Sequence, residues 1–330
     1  MWDNLFNFLV KTVNVTPVYT KENCIAFKQS QSSCRLCRDS CPHEAISFKR
    51  GKEVVIDDID CTGCGLCVQV CPSQALEPKF SYQPGAPIKC SQVKGNTQSV
   101  QCLTRLSSSD LLRLASRKDK VTLARNDCAA CKVGNETVPE VLDLIAQEAN
   151  DFAGLRGRTI EVETLVTEKY DATDNPDPIS RRELLRGGFR GLQHSAAEAL
   201  APFDPGGDND VTLPREMQRQ YRLIEGAKPE AEDVVPWILP RVAEGCIMCP
   251  VCTNVCPTKA FSRNFDPPDK DGSVLMLEPE RCNGCNACVQ ACPMKVISLE
   301  EEVTWGELSG GKEEAFHKDP DKLSKGAVSR

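Results

Sequence analysis

The feature that most constrains this chain is a repeated cysteine spacing. Cys61, Cys64, Cys67 and Cys71 run as C-x2-C-x2-C-x3-C with Pro72 next. Cys246, Cys249, Cys252 and Cys256 before Pro257 keep the same spacing, as do Cys282, Cys285, Cys288 and Cys292 before Pro293. A fourth copy is irregular. Cys34, Cys37 and Cys41-Pro42 supply its last three members, Gln31 stands where the first belongs, and Cys24 is the expected replacement. Pairing twenty cysteines as disulfides requires an oxidising compartment. Yet Met1-Trp2-Asp3-Asn4 lacks the positive start of a secretory signal, and no run approaches the roughly 18 apolar residues of a spanning helix. The expectation is a cytoplasmic location, no transmembrane segment, and thiols that bind metal.

Composition supports metal as a structural element. Setting the cysteines aside leaves roughly a third of the chain apolar, and only 11 Phe, 4 Tyr and 3 Trp serve 330 residues, so core-building side chains are scarce. The length suggests two or three domains. A net charge of −7 argues against nucleic acid as a partner.

Three cysteines at x2-x2 on a tight loop can grip three corners of an iron–sulfur cubane, while the next is too far along to close the same one and ligates another. Structural zinc competes, but it normally uses two separated C-x2-C knuckles. The motifs resemble those of the dicluster bacterial ferredoxins. That resemblance implies four [4Fe-4S] clusters in two pairs, with ligands crossed within each pair. Cys24, Cys34, Cys37 and Cys71 would hold one, and Cys61, Cys64, Cys67 and Cys41 its neighbour. In the second pair the sets are Cys246, Cys249, Cys252 and Cys292, then Cys282, Cys285, Cys288 and Cys256. The flanks agree: Ala45–Phe48 and Glu53–Ile56 bracket Lys49-Arg50-Gly51-Lys52 as a short hairpin, and Ala260-Phe261 with Val274–Leu277 repeats it around a longer loop.

Cys90, Cys102, Cys128 and Cys131 lie between the two pairs. Strand-like runs at 99–102, 121–124 and 159–162 alternate with helical patterns at 107–117 and 137–149, reading as an α/β module. Its cysteines would emerge at the carboxyl end of the sheet. The four slightly resemble the four-cysteine small subunit that links certain hydrogenases to heterodisulfide reductase. A [2Fe-2S] or zinc centre is one reading. A Cys128/Cys131 redox dithiol, with Cys90 and Cys102 as buried small hydrophobes, is the other.

The expected architecture is therefore α+β: two dicluster ferredoxin-like units, made of short hairpins and helices around [4Fe-4S] clusters, flank a small α/β module. The boundaries are 1–84 for the first unit, 85–165 for the module, 166–240 for a linker with a basic helix, 241–302 for the second unit, and 303–330 for a charged tail, mobile from Ser309. Within the linker, Ser180-Arg181-Arg182-Glu183-Leu184-Leu185-Arg186 has the form of a twin-arginine motif but no apolar stretch follows it. A similar segment, and a run similar to Cys34–Cys41, occur in the accessory ferredoxin of periplasmic nitrate reduction systems, a resemblance covering about a third of the chain. Trp2, Leu5, Phe6, Phe8, Leu9, Val10 and Val13 make the N-terminus apolar, suited to covering the first unit or to peripheral membrane contact. His43, His194 and His317 form no spaced set, and His43 reads as a solvated turn residue.

These features imply an electron-transfer iron–sulfur protein, a polyferredoxin, with oxidoreductase subunits as donor and acceptor and no catalytic residue of its own. No dinucleotide loop is present, since Gly187-Gly188-Phe189-Arg190-Gly191 lacks the required order. Two alternatives stand beside it: a redox enzyme subunit whose central cysteines do chemistry, and an iron–sulfur regulatory protein.

Overall fold

In the computed structural model the described residues are 15–30, 32–116, 118–171, 212–265, 267 and 272–319. The apolar N-terminal stretch to Val13, the Ser180–Arg186 segment, the basic helix expected over Arg181–Leu192, and His194 lie outside them.

The N-terminal unit contains β1 (Val18–Tyr19), α1 (Ile25–Lys28), α2 (Leu36–Asp39), β2 (Ile46–Lys49), β3 (Glu53–Ile56), α3 (Leu66–Gln69) and β4 (Leu76–Glu77). β2 and β3 pair as a hairpin turned by left-handed Arg50 and Gly51, while β1 and β4 pair antiparallel and bring the unit's two ends together. Helices of one turn cannot persist alone, so packing must hold them. The available core is small: Ala26, Ile46, Val54, Ala75 and Leu76, with Cys24, Cys37 and Cys67 among them.

The central module contains β5 (Ile88–Cys90), β6 (Ser99–Val100), α4 (Ser108–Leu114), β7 (Lys120–Arg125), α5 (Val138–Gly154) and β8 (Glu161–Val166). Its four strands are all parallel, in the order β6-β5-β7-β8. α4 starts at a capping box: Asp110 N donates to Ser107 Oγ and Ser107 N donates to Asp110 Oδ2, a device worth about 1 kcal/mol. α5 buries Val138, Leu142, Ile145, Ala149 and Phe152 at helical spacing.

The C-terminal unit repeats the first on a larger scale. It follows α6 (Arg215–Ala227) and contains β9 (Val234–Val242), α7 (Val251–Val255), β10 (Phe261–Asn264), β11 (Ser273–Leu277), α8 (Ala287–Ala291), β12 (Ile297–Thr304), α9 (Trp305–Ser309) and β13 (Glu313–Lys318). β10–β11 is the hairpin and β9–β12 the outer pair. Val235, Trp237 and Leu239 alternate inward along β9, against Phe261, Leu275, Leu277, Val303 and Leu308.

Two segments depart from the sequence expectation. Part of the supposed linker, from 215 to 240, is helix α6 and most of β9. Residues 303–318, expected in the charged tail, complete β12, form α9 with its own Thr304/Glu307 capping box, and add β13 to the hairpin beside β11. The high charge of this stretch reflects strands with one solvated face, as in β12, where Glu300, Glu301 and Glu302 are not buried while Val303 is.

α6 joins all three parts. Its first N–H groups, on Arg215 and Met217, donate to Glu77 Oε1 and Gln74 Oε1 of the N-terminal unit. Gln220 donates to Glu148 on α5, Ser109 N at the start of α4 donates to Glu216, and Met217 and Ile224 sit in the C-terminal core.

Candidate metal centres

Each fourth cysteine of a motif opens the same turn. Three residues on, Glu44, Gln74, Lys259 and Lys295 are all left-handed, with φ of 52°, 52°, 54° and 56°. Their N–H groups donate back to the carbonyls of Cys41, Cys71, Cys256 and Cys292. The intervening proline fixes φ at the turn's first step. The next residue then points its own N–H at sulfur: Ala75 N lies 3.3 Å from Cys71 Sγ and Ala260 N 3.2 Å from Cys256 Sγ. A left-handed residue other than glycine costs about 1 kcal/mol or more, and nothing in the types Glu, Gln, Lys and Lys signals it. Repetition at four sites marks the turn as a device for presenting the cysteine.

These loops gather the thiols four to a cavity. Cys24, Cys34, Cys37 and Cys71 line one of about 330 Å³, and Cys41, Cys61, Cys64 and Cys67 line its neighbour of about 340 Å³. In the C-terminal unit Cys246, Cys249, Cys252 and Cys292 line a cavity of about 360 Å³, and Cys256, Cys282, Cys285 and Cys288 one of about 320 Å³. Cys24 thus sits where the irregular motif lacks its first member. Cys90, Cys102, Cys128 and Cys131 line a fifth cavity of about 320 Å³. Among the described residues no three His, Cys, Asp or Glu side chains converge closely enough for a single metal ion. The sulfurs ring a volume instead.

Burial disfavours the thiolate. It pushes Cys37 up to about 12, Cys64 and Cys252 to about 11, and Cys285 and Cys288 to about 12, with neighbouring cysteines adding to the effect. Thiols packed this way gain from an electropositive group that replaces their protons, as metal–thiolate bonding does. The cavities suit an anionic sulfide-containing cluster for a further reason. Asn283 Nδ2 and Arg125 Nε, each on a residue lining one of them, are buried N–H donors without a partner among the described residues.

The five cavities are linked as successive neighbours. Cys64 packs in the same apolar cluster as Cys90, Cys102 and Cys128. Thr104 Oγ1 lies 2.7 Å from Cys64 O and 3.3 Å from Cys102 Sγ. Arg105, 2% exposed, donates to Val15 O, Gly63 O and Lys79 O. His43, contrary to the expected solvated turn, is half-buried, and its Nε2 is 3.0 Å from Val133 O of the central module, to which Thr62 also donates. At the other side of the N-terminal unit, Ile25 packs with Val255 and Ala287, and Cys34 and Cys285 flank them. The order in space is the central cavity, then those of Cys61 and Cys24, then those of Cys282 and Cys246. Sequence reasoning missed Thr104, Arg105 and α6, because an isolated buried polar residue within an apolar run has no motif.

The 4Fe-4S dicluster domain model matches this chain at residues 32–75 and 245–296, the two cysteine-paired units. A ferredoxin of Methanothermococcus thermolithotrophicus is 41% identical over 46 residues, 14% of this chain and 77% of its own length. The chain belongs to the 4Fe-4S dicluster ferredoxins. Pyruvate synthase subunit PorD of Thermotoga maritima is 39% identical over 61 residues, 18% of this chain and 54% of the subunit. Ferredoxin-type protein NapF of Haemophilus influenzae is 47% identical over 47 residues, 13% of this chain and 27% of that protein. The chain therefore spans about half of the first of these two and about a quarter of the second. The two matched regions are iron–sulfur, ferredoxin-type units. Among the described residues no helix is long and apolar enough to cross a membrane.

Proposed function

We propose that this ferredoxin carries electrons through four [4Fe-4S] clusters, two in each unit, to or from a partner oxidoreductase in the cytoplasm. The ligand sets are Cys24, Cys34, Cys37 and Cys71; Cys41, Cys61, Cys64 and Cys67; Cys246, Cys249, Cys252 and Cys292; and Cys256, Cys282, Cys285 and Cys288. The observation that carries the reading is the sorting of sixteen thiols, four to a cavity, with one of each four contributed by the other motif of its pair. Each cluster, when bound, supplies one-electron exchange at a potential set by its charge, sulfur hydrogen bonds and exposure. The chain's own contribution is to hold the thiolates, exclude water with Ile46, Leu76, Phe261 and Leu275, and aim the N–H groups of Ala75 and Ala260 at sulfur. A redox partner is supported by relatives whose names mark a pyruvate synthase subunit and a ferredoxin-type protein.

The test is iron and acid-labile sulfide analysis of anaerobically purified chain, with EPR after dithionite reduction. At least about sixteen irons and as many sulfides per chain are expected. Zinc in their place, or only about eight irons, would falsify the four-cluster reading.

A further inference from the structure

The fifth cavity is not part of either ferredoxin unit. Cys90 is the last residue of β5, Cys102 lies two residues past β6, and Cys128 and Cys131 sit in the loop after β7. All four therefore leave the carboxyl ends of three adjacent parallel strands, the edge at which open parallel sheets build their sites. Leu103, Val133 and Val138 close the cavity with apolar surface, and Cys90, Cys102 and Cys128 are buried.

Its sulfurs are also provided with donors. Val133 N and Gly134 N each lie 3.4 Å from Cys131 Sγ, so two successive backbone N–H groups converge on one sulfur. Arg125 Nη1 is 3.8 Å from Cys128 Sγ, and the buried Nε of the same guanidinium has no partner among the described residues. A neutral thiol is a weak acceptor and rewards such an arrangement little, whereas a metal-bound thiolate accepts these bonds well. The same backbone-to-sulfur contact recurs at Cys71 and Cys256 in the ferredoxin units. A tetrahedral zinc draws its four sulfurs to about 2.3 Å from one point. Here, among the described residues, no three of them converge closely enough to hold one metal ion; they ring a cavity instead.

We propose that Cys90, Cys102, Cys128 and Cys131 hold a fifth iron–sulfur cluster. It stands at the end of that succession, next to the Cys61 site across Thr104. There it exchanges one electron with that neighbour: the centre that gains the electron is reduced by one unit as the other is oxidised, and no proton or further reactant is required. This role rests on the electron-carrier reading, but the presence of the cluster does not, and metal content tests the two separately.

The experiment compares full-length wild type with C128A/C131A, both purified anaerobically. About eighteen irons in wild type for a [2Fe-2S] centre, or about twenty for a [4Fe-4S] centre, should fall to about sixteen in the variant, with sulfide falling in step and one EPR signal lost. If the double variant does not yield soluble chain, Cys131→Ser is used for the same comparison. Arg125→Met should keep the full iron count and lower the midpoint potential of the signal that C128A/C131A removes, because a hydrogen bond and a positive charge beside the Cys128 sulfur are lost. One zinc per chain overturns the proposal. So does equal iron in wild type and variant, with Cys128 and Cys131 alkylated or disulfide-linked by mass spectrometry. A baseline of zinc at all sites would instead defeat the four-cluster reading.

Discussion

The N-terminal and C-terminal units share one plan and differ in what supports it. Each has a hairpin between its motifs and an outer strand pair joining its ends, yet β1–β4 pairs two residues with two while β9–β12 runs over nine and eight. The larger unit carries Trp237, Phe261 and a row of buried aliphatics, with Tyr221 against Trp237 and Trp305. The smaller one relies on its thiols and on polar bonds from the neighbouring module, through Arg105, Thr104 and the two contacts of Gln69 with Thr104 O and Leu106 O. The comparison teaches that a cluster-binding loop set can be stabilised either by its own core or by a neighbour.

The largest test of this difference is removal of iron. Chelation should unfold residues 18–77 first, with hydrogen exchange in β2 and β3 rising to the unprotected rate while β9 and β12 retain protection. Simultaneous loss in both units would break the comparison. Next in size, Trp237→Ala should cost about 3–5 kcal/mol through an unfilled core, lowering the melting of the C-terminal unit while the EPR signals of the other remain. Arg105→Ala should act in the opposite place. It leaves the carbonyls of Val15, Gly63 and Lys79 without their donor, at a cost of about 3 kcal/mol, read as cluster loss from the N-terminal unit alone.

A smaller contrast lies in two equivalent glycines. Gly63 and Gly284, both left-handed, precede the second cysteine of their motifs. A Cβ on Gly63 would collide with the Val15 side chain and come within 2.9 Å of Val15 O, whereas on Gly284 its nearest contact is Ile238 Cβ at 3.1 Å. Gly63→Ala should therefore destabilise more than Gly284→Ala, by about 1 kcal/mol beyond the shared left-handed cost, as measured by denaturant midpoints. The smallest effect is on pH. Burial holds Cys37, Cys64, Cys252, Cys285 and Cys288 protonated well above the ordinary thiol value, so loading must expel protons and iron affinity should rise from pH 6.5 to 8.5. In the apo chain, by contrast, the raised values of Cys252, Cys285 and Cys288 stabilise the C-terminal unit below the ordinary thiol pKa, and that stability is lost as pH climbs toward 11 or 12. Titration of released protons during reconstitution checks the first sign, and alkaline unfolding of apo chain the second.

What was legible in the sequence was the part written as covalent spacing. Cysteines at x2-x2-x3-Cys-Pro announce their loops because a short loop admits few geometries, and the hairpins between motifs showed in their apolar alternation. α6 was missed because only Met217, Gln220 and Ile224 of its 13 residues are buried, a sparse pattern in a charged stretch. β13 was missed because Ala315 and Phe316 are the only apolar residues of Glu313–Lys318 and fall on opposite faces of a strand only partly covered. The left-handed turns at Glu44, Gln74, Lys259 and Lys295 are set by tertiary demand from the preceding cysteine, against local preference.

The contact of Ile25 with Val255 and Ala287 sets the first motif's site in one unit beside the second motif's site in the other. Unlike surfaces meet, so no twofold axis relates the units, and a heterologous contact of this kind can in principle be repeated without closing on itself. The α/β module terminates that progression at one end. The Cys246 site, last in the succession, presents Ile247 and Met294 at 50% and 46% exposure, so the series of sites has two unlike termini.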